Sequence, residues 1–146
     1  MTQDHFNLAR FLDAQEQDYN RALNELRSGR KRSHWIWYIF PQLRGLGRST
    51  NAEIYGIFDL MEAKAYLAHS ILGERLRQSV NVLMALGTSN ATSILGELDA
   101  LKFKSCLTLF SYADPAESIF NDALQRFFAG ERDVGTIRLL KLHSHA

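Results

Sequence analysis

Residues 30–42 read Arg-Lys-Arg-Ser-His-Trp-Ile-Trp-Tyr-Ile-Phe-Pro-Gln: three cations run into six consecutive apolar residues that include both tryptophans of the chain. Tryptophan, isoleucine, tyrosine and phenylalanine favour strands, and Pro41 biases Phe40 toward an extended backbone. No second strand-like run stands elsewhere in the sequence, and a lone strand leaves its backbone N–H and C=O groups without partners. The run therefore reads as a short helix capped by Ser33. With that reading the last candidate strand disappears, and the fold class is all-α.

The flanking segments agree. Leu8, Leu12, Tyr19, Leu23 and Leu26 recur at helical steps, with Asp13, Glu16, Gln17, Asn20, Asn24 and Glu25 on the other face, which predicts an amphipathic helix ending at Ser28-Gly29. After Gln42 the stretch Leu43 to Ser49 reads as a loop with Gly45 and Gly47 as permissive points. Thr50 with Glu53, and Asp59 with Glu62, read as capping boxes for helices over about 51–58 and 60–69. Ser70 is expected to cap a third, with Leu72, Leu76, Val80, Leu83 and Met84 as its apolar stripe and Gly87 beyond its end. Asn90 starts a short turn through Leu95. Asp99 is expected to cap the next helix, where Phe103, Cys106, Leu107 and Phe110 keep the i, i+3, i+4, i+7 spacing. Asp114-Pro115-Ala116-Glu117 carries the strongest start signal, with Pro115 at the first helical position. Ile119, Ala123, Leu124, Phe127 and Phe128 follow as its inward face, and a last helix spans about 134–142. The expectation is seven or eight helices in one compact domain over residues 1–146, with buried central helices and a frayed last few residues.

Composition bounds the rest. A chain of 146 residues with 46% hydrophobic and 23% charged residues is that of a globular domain with a real core. No apolar run nears the roughly 18 residues of a membrane span, and the first residues do not read as a signal peptide. The single cysteine, Cys106, excludes an internal disulfide and a multi-cysteine metal site. A cytoplasmic location is the simplest expectation. Net charge is +1, yet from Leu26 to Ala52 there is no acidic residue, while six cations fall inside. The remainder carries 11 cations against 16 acids. Such asymmetry suits an anionic small molecule. Nucleic acid is not an expected partner, because the domain as a whole is not basic and carries no reading motif.

Candidate chemistry gathers in and around this acid-free segment. His34 can exchange a proton near neutral pH, with Lys31 and Arg32 favouring its neutral form. Trp35, Trp37 and Tyr38 offer flat faces for stacking, and on a helix the two indoles point about 200° apart, so one faces the core and the other a cleft. In the loop, Gly45 and Gly47 allow backbone N–H groups to approach a ligand. Arg44 and Arg48 bring charge, Gln42 an amide, and Thr50 a helix N-terminus. A bare Gly-x-Gly without a preceding strand is neither a P-loop nor a dinucleotide fingerprint. Lys104, Ser105 and Thr108 lie off the apolar stripe of their helix and can face a polar cleft, whereas Cys106 lies in it and reads as a small core residue. Glu53, Asp59, Glu62 and Asp99 have work as caps, and no carboxylate pair suggests acid–base catalysis. The histidines show no metal-ligand spacing apart from His143 and His145 at the terminus, so neither a metal nor a cofactor is implied.

The segments from Lys31 to Ile57 (with its His-Trp-x-Trp-x-x-Phe-Pro-Gln element), Glu62 to Arg77 and Gly96 to Phe110 resemble a bacterial and fungal family described as a domain of unknown function and sometimes labelled calpastatin. The resemblance covers nearly the whole chain. It implies a multihelical fold with buried central helices and no established reaction; a compact helical domain is unlike a disordered protease inhibitor. Two positions depart from the family pattern: Ser70 stands where a proline often follows His69, and Lys104-Ser105-Cys106 where a serine pair is usual.

The leading expectation is a domain that binds an anionic, nucleotide-like small molecule in a Trp/Arg/Gly-lined cleft. Its residues would be Lys31, Trp37, Gln42, Arg44, Gly45, Gly47, Arg48, Lys104 and Thr108. Two alternatives stand beside it: a hydrolase or glycosidase acting on a nucleotide derivative with His34 as general base, and a protein–protein interaction module.

Overall fold

Residues 105–111 are buried on every side of one helix, a pattern that only a central helix can show. Its polar members turn their hydroxyls back onto the helix itself. Ser105 Oγ donates to the Leu101 carbonyl at 3.1 Å, Thr108 Oγ1 to Lys104 at 2.8 Å and Ser111 Oγ to Thr108 at 2.7 Å, so no donor is stranded. The computed structural model describes residues 4–144. Within them the order is α1 (Ala9–Arg27), α2 (Ile36–Ile39), α3 (Thr50–Tyr55), α4 (Leu60–Ala68), α5 (Leu72–Met84), α6 (Ala91–Leu95), α7 (Glu97–Ala113), α8 (Ile119–Phe128) and α9 (Val134–Ser144). The central helix is α7, and α2, α4, α6, α8 and α9 pack on it, while α1 lies against α5 and α2. One continuous hydrophobic core runs from Leu8 to Phe127. Extended pairing among the described residues is limited to a single parallel bridge, Leu43 to Ile57. The all-α expectation holds.

The decisive stretch is helical, but more briefly than its length suggests. Trp35, not Ser33, occupies the N-cap position of α2. Ser33 instead donates its hydroxyl to the Glu25 carboxylate at 2.6 Å, one of four hydrogen bonds with which Glu25 gathers the chain after α1. The fourth comes from the buried Trp35 indole N–H at 2.9 Å. Gln15, inside the core, links three further elements: its amide donates to the Tyr38 carbonyl at 2.7 Å and to the Tyr66 hydroxyl at 3.1 Å, and accepts from Arg75 at 3.3 Å.

Several helix starts differ from expectation, each for a local reason. Ser49 rather than Thr50 caps α3, accepting from Ala52 N–H, and that helix stops at Tyr55 because residues 56–57 extend to meet Leu43. Asp59 caps α4 as expected, but Glu62 reaches past it to the Phe58 N–H. Ile71 occupies the N-cap position of α5, and the first N–H groups there, of Ile71 and Leu72, donate to His69 Nδ1; Ser70 is exposed and makes no cap bond. Helix α7 begins two residues before Asp99, which pairs with Lys31 instead. Asp114-Pro115-Ala116-Glu117 forms a turn, with the Asp114 carboxylate accepting from Ala116 N–H, and α8 starts only at Ile119. Nine described helices therefore replace the seven or eight expected. The last reaches Ser144, while residues 145–146, and with them His145 and the expected fraying, lie outside the described residues.

Candidate functional site

Arg10 stands on the second residue of α1 and all five of its guanidinium N–H groups have acceptors. Nε donates to the Ile54 carbonyl at 2.8 Å, Nη1 to Phe6 at 2.6 Å and Asn7 at 2.8 Å, Nη2 to Gly56 at 3.1 Å and to Glu62 Oε2 at 2.7 Å. Glu62, 2% exposed, spends its other oxygen on the Phe58 N–H. One planar fork thereby fixes three segments: the turn before α1, the end of α3 and the start of α4. These segments wall a cleft of ≈ 520 Å³ whose floor includes the Arg10–Glu62 pair.

A fourth wall comes from the loop after α2. The Arg44 N–H donates to the Ile57 carbonyl at 2.8 Å, and the Ile57 N–H to the Gln42 carbonyl at 2.9 Å. Close approach here depends on Gly56: a β-carbon on it would lie 2.7 Å from the Arg44 Cα and from the Ala52 carbonyl oxygen. The bridge holds Arg44 at the cleft with its side chain exposed, and among the described residues no acid or carbonyl pairs with its guanidinium. Beside it the Phe58 ring is 60% exposed and Ile54 46%. His5 stands exposed at the rim. Arg10 and Glu62 neutralise each other, so the charges left on the cleft are the Arg44 guanidinium and the Asp59 carboxylate, the latter accepting the Glu62 N–H.

The structure scatters the other residues singled out from the sequence. The Lys31 ammonium is 7% exposed; it pairs with Asp99 at 2.8 Å, donates to the Ser33 carbonyl and lies 5.0 Å from the Trp35 ring centroid. Of the two indoles, Trp35 is the fully buried one. Trp37 is half-buried, and its Nε1 has no acceptor among the described residues. His34 is exposed and does not line the cleft. Gln42 is buried. Gly45 takes a left-handed conformation with φ 103° against Leu139, and a β-carbon on Gly47 would sit 2.9 Å from that of Ala52. Both glycines thus serve the packing of the loop, and Arg48 is exposed beyond them. Lys104 pairs with Glu131, and Thr108 is fully buried, accepting from the Asp133 N–H at 2.9 Å. Among these residues Arg44 alone lines the cleft.

The sequence singles out none of Arg10, Ile54 and Phe58, weighs His5 only as a metal ligand, and gives Glu62 only the work of a cap. Ile54 and Phe58 are apolar residues that the fold leaves exposed, and no sequence pattern marks them. Arg10 and Glu62 are 52 residues apart and no periodicity joins them. Elsewhere burial pushes the Cys106 thiol well above its usual value, in keeping with a core role. The Glu25 carboxyl is opposed by burial. Even so, the Ser33 hydroxyl, the Arg32 N–H, the Trp35 indole and the Ser33 N–H hold it down at about 2. No group of three or more metal-ligating side chains, and no helix long and apolar enough to cross a membrane, occurs among the described residues.

Comparison with known proteins agrees with the fold. A family model described as "Protein of unknown function (DUF1810)" matches residues 5–140. A crystal structure of the conserved hypothetical protein Rv1873 from Mycobacterium tuberculosis is similar at a TM-score of 0.92 and 43% identity. The alignment covers 94% of this chain and 99% of that one. Among curated proteins none matches.

Proposed function

The chain belongs to the DUF1810 family of unknown function, and from the geometry of its cleft we propose a cytoplasmic domain that binds a small organic anion, nucleotide-like in pairing a phosphate or carboxylate with a flat or apolar body. The observation that carries this reading is Arg44. Its guanidinium, unpaired among the described residues, stands on the wall of a ≈ 520 Å³ cleft that the exposed Phe58 also lines. Small-molecule sites commonly measure about 300–1,000 Å³ and combine apolar lining with a few placed polar groups. A guanidinium presents parallel N–H groups that match two oxygens of a phosphate or carboxylate. Phe58 and Ile54 supply the surface for the body of the ligand.

Hydrogen bonds tie the walls of the cleft to one another. Arg10 holds three of them with no N–H left for a ligand, so Arg10 shapes the cleft and Arg44 addresses the anion. His34 lies outside the cleft, so the reading is one of binding, with no general base assigned.

Calorimetric titration of AMP and of adenosine tests it. AMP is expected to bind and to raise the melting temperature, adenosine to bind more weakly, and Arg44→Gln to lose AMP binding while melting like the parent protein. Equal AMP affinity in Arg44→Gln, or no binding by AMP or other organic phosphates, overturns the reading.

A further inference from the structure

Two opposite charges line the cleft without meeting. The Arg44 N–H donates to the Ile57 carbonyl at 2.8 Å, and Asp59 follows Ile57 two residues further along the chain. Standard bond lengths across that hydrogen bond keep the Arg44 and Asp59 Cα atoms within about 12 Å of each other. Both residues line the ≈ 520 Å³ cleft, yet among the described residues no ion pair joins them. Asp59 is already held: its Oδ1 accepts the Glu62 N–H at 2.9 Å, while its Oδ2 has no donor among the described residues. Arg10 and Glu62 cancel each other at 2.7 Å. Apart from His5 at the rim, the cleft therefore offers a ligand one cation and one anion.

A simple anion suits such a site poorly. What it gains at Arg44 is opposed by Asp59, because like charges repel over the same distances at which opposite charges attract. A ligand that covers the second Asp59 oxygen without donating to it also leaves an acceptor stripped of water. A ligand with its own cation meets both demands. We infer that the anion held at Arg44 also bears an amino group, protonated at neutral pH, and that this ammonium donates to Asp59. The inference rests on the Arg44 reading and deepens it by naming the class of ligand: a zwitterionic amine. Its phosphate or carboxylate lies at Arg44, its ammonium at Asp59, and its apolar part against Phe58 and Ile54. Phe58 stands in the chain between Ile57, which holds the Arg44 backbone, and Asp59, so one short stretch serves both ends of the ligand. Charge alone then fixes which end goes where.

The test sets aminoethyl and aminobutyl phosphate against ethyl and butyl phosphate, titrated by calorimetry at low ionic strength, where exposed charges are least screened. At one length or both, the amine is expected to bind about two- to fivefold more tightly than its alkyl counterpart, the gain of a partly exposed ion pair. Arg44→Gln is expected to lose all of these ligands. Asp59→Asn keeps the helix cap, since asparagine serves there as well as aspartate. That variant is expected to move the two kinds of ligand in opposite directions, amines weaker and alkyl phosphates tighter. The ratio of amine to alkyl affinity is read within one preparation, so any change in folded fraction cancels. If alkyl phosphates bind through Arg44 and neither amine binds better, the amino group is wrong and the anion site stands. If no phosphate binds, both fall. An amine preference that survives in Asp59→Asn overturns Asp59 as its partner. An equal loss of amines and alkyl phosphates in that variant leaves Asp59 a cap and nothing more, and overturns the inference. Amine binding that persists in Arg44→Gln while alkyl phosphates are lost overturns the joint use of the two charges.

Discussion

Arg10 and Glu62 meet at 2.7 Å although 52 residues separate them, and the carboxylate is almost wholly removed from solvent. A buried carboxylate that loses its cation is left uncompensated in a medium that solvates it poorly, a loss of about 3–5 kcal/mol. Arg10→Met is therefore expected to lower the free energy of unfolding by about that amount in urea titration. Because the same guanidinium also holds the Phe6, Asn7, Ile54 and Gly56 carbonyls, Arg10→Lys recovers only part of it: a single ammonium cannot reach five acceptors in one plane. Recovery of full stability by lysine would show that charge alone matters and that the fork does not.

Glu25 links stability to acid. Its carboxyl titrates at about 2 in the fold against an ordinary value of 4.5, so the folded state favours the ionised form. A group depressed in this way contributes stability that is fully present above pH 4.5 and is lost as pH falls from there through about 2. Urea midpoints measured across that range should fall in the parent protein and fall less steeply in Glu25→Gln. The glutamine variant should also start lower at neutral pH, since an amide cannot accept from Arg32 N–H, Ser33 and Trp35 as a carboxylate does. Parallel pH profiles for the two proteins would show that Glu25 is not the group concerned.

At the start of α5 an imidazole does what the sequence suggested for a serine. His69 Nδ1 accepts from the Ile71 and Leu72 N–H groups at 3.1 and 3.3 Å. Removing an N-terminal cap costs about 1 kcal/mol. His69→Ala should lower stability by roughly that in chemical denaturation, while Ser70→Ala stays within about 0.5 kcal/mol of the parent, as exposed substitutions do. The reverse order of effects would restore Ser70 as the cap.

Much of the fold was legible because it is written in local pattern. The stripe from Phe103 to Phe110 is buried as read, and so is the one from Leu72 to Met84 except for Met84 itself, which is half-buried. The apolar run from Trp35 to Phe40, with no partner strand in the sequence, reads as a short helix, and Ile36–Ile39 of it are helical. What was not legible is tertiary. A Ser, Asp or Thr placed ahead of a helix advertises a cap, but which neighbour provides it depends on the path of the preceding chain. At α5 the His69 imidazole takes the N–H groups expected for Ser70, with Ile71 at the N-cap position, and at α8 Ser118 holds that position without a side-chain cap bond where Asp114 was expected. The site suffered more. Clustering in sequence brought Lys31, Gly45, Gly47 and Lys104 forward, yet the fold gives each a packing or pairing task and leaves only Arg44 at the cleft. Its other walls come from residues 5–10 and 54–62, brought together by a hydrogen-bonded guanidinium that no spacing reveals.

Gly56 joins stability to the cleft. Its missing β-carbon is what lets residues 42–44 pair with Ile57, because that atom would lie 2.7 Å from the Arg44 Cα and equally close to the Ala52 carbonyl oxygen. Gly56 has φ −62°, a value any residue adopts, so an alanine there introduces no backbone strain, only overlap. Overpacking of this kind costs about 1–3 kcal/mol. The relief available to the chain is to move the Arg44 segment away from Ile57. Gly56→Ala should therefore do two things together: lower the unfolding free energy by that amount and weaken AMP binding several-fold, although residue 56 is buried behind the bridge. Arg44→Gln should weaken AMP binding without the loss of stability. Comparing the two variants by denaturation and calorimetry separates the placement of Arg44 from its charge. A Gly56→Ala protein that is less stable but binds AMP as the parent does would mean that the Leu43–Ile57 bridge holds the fold without positioning the guanidinium.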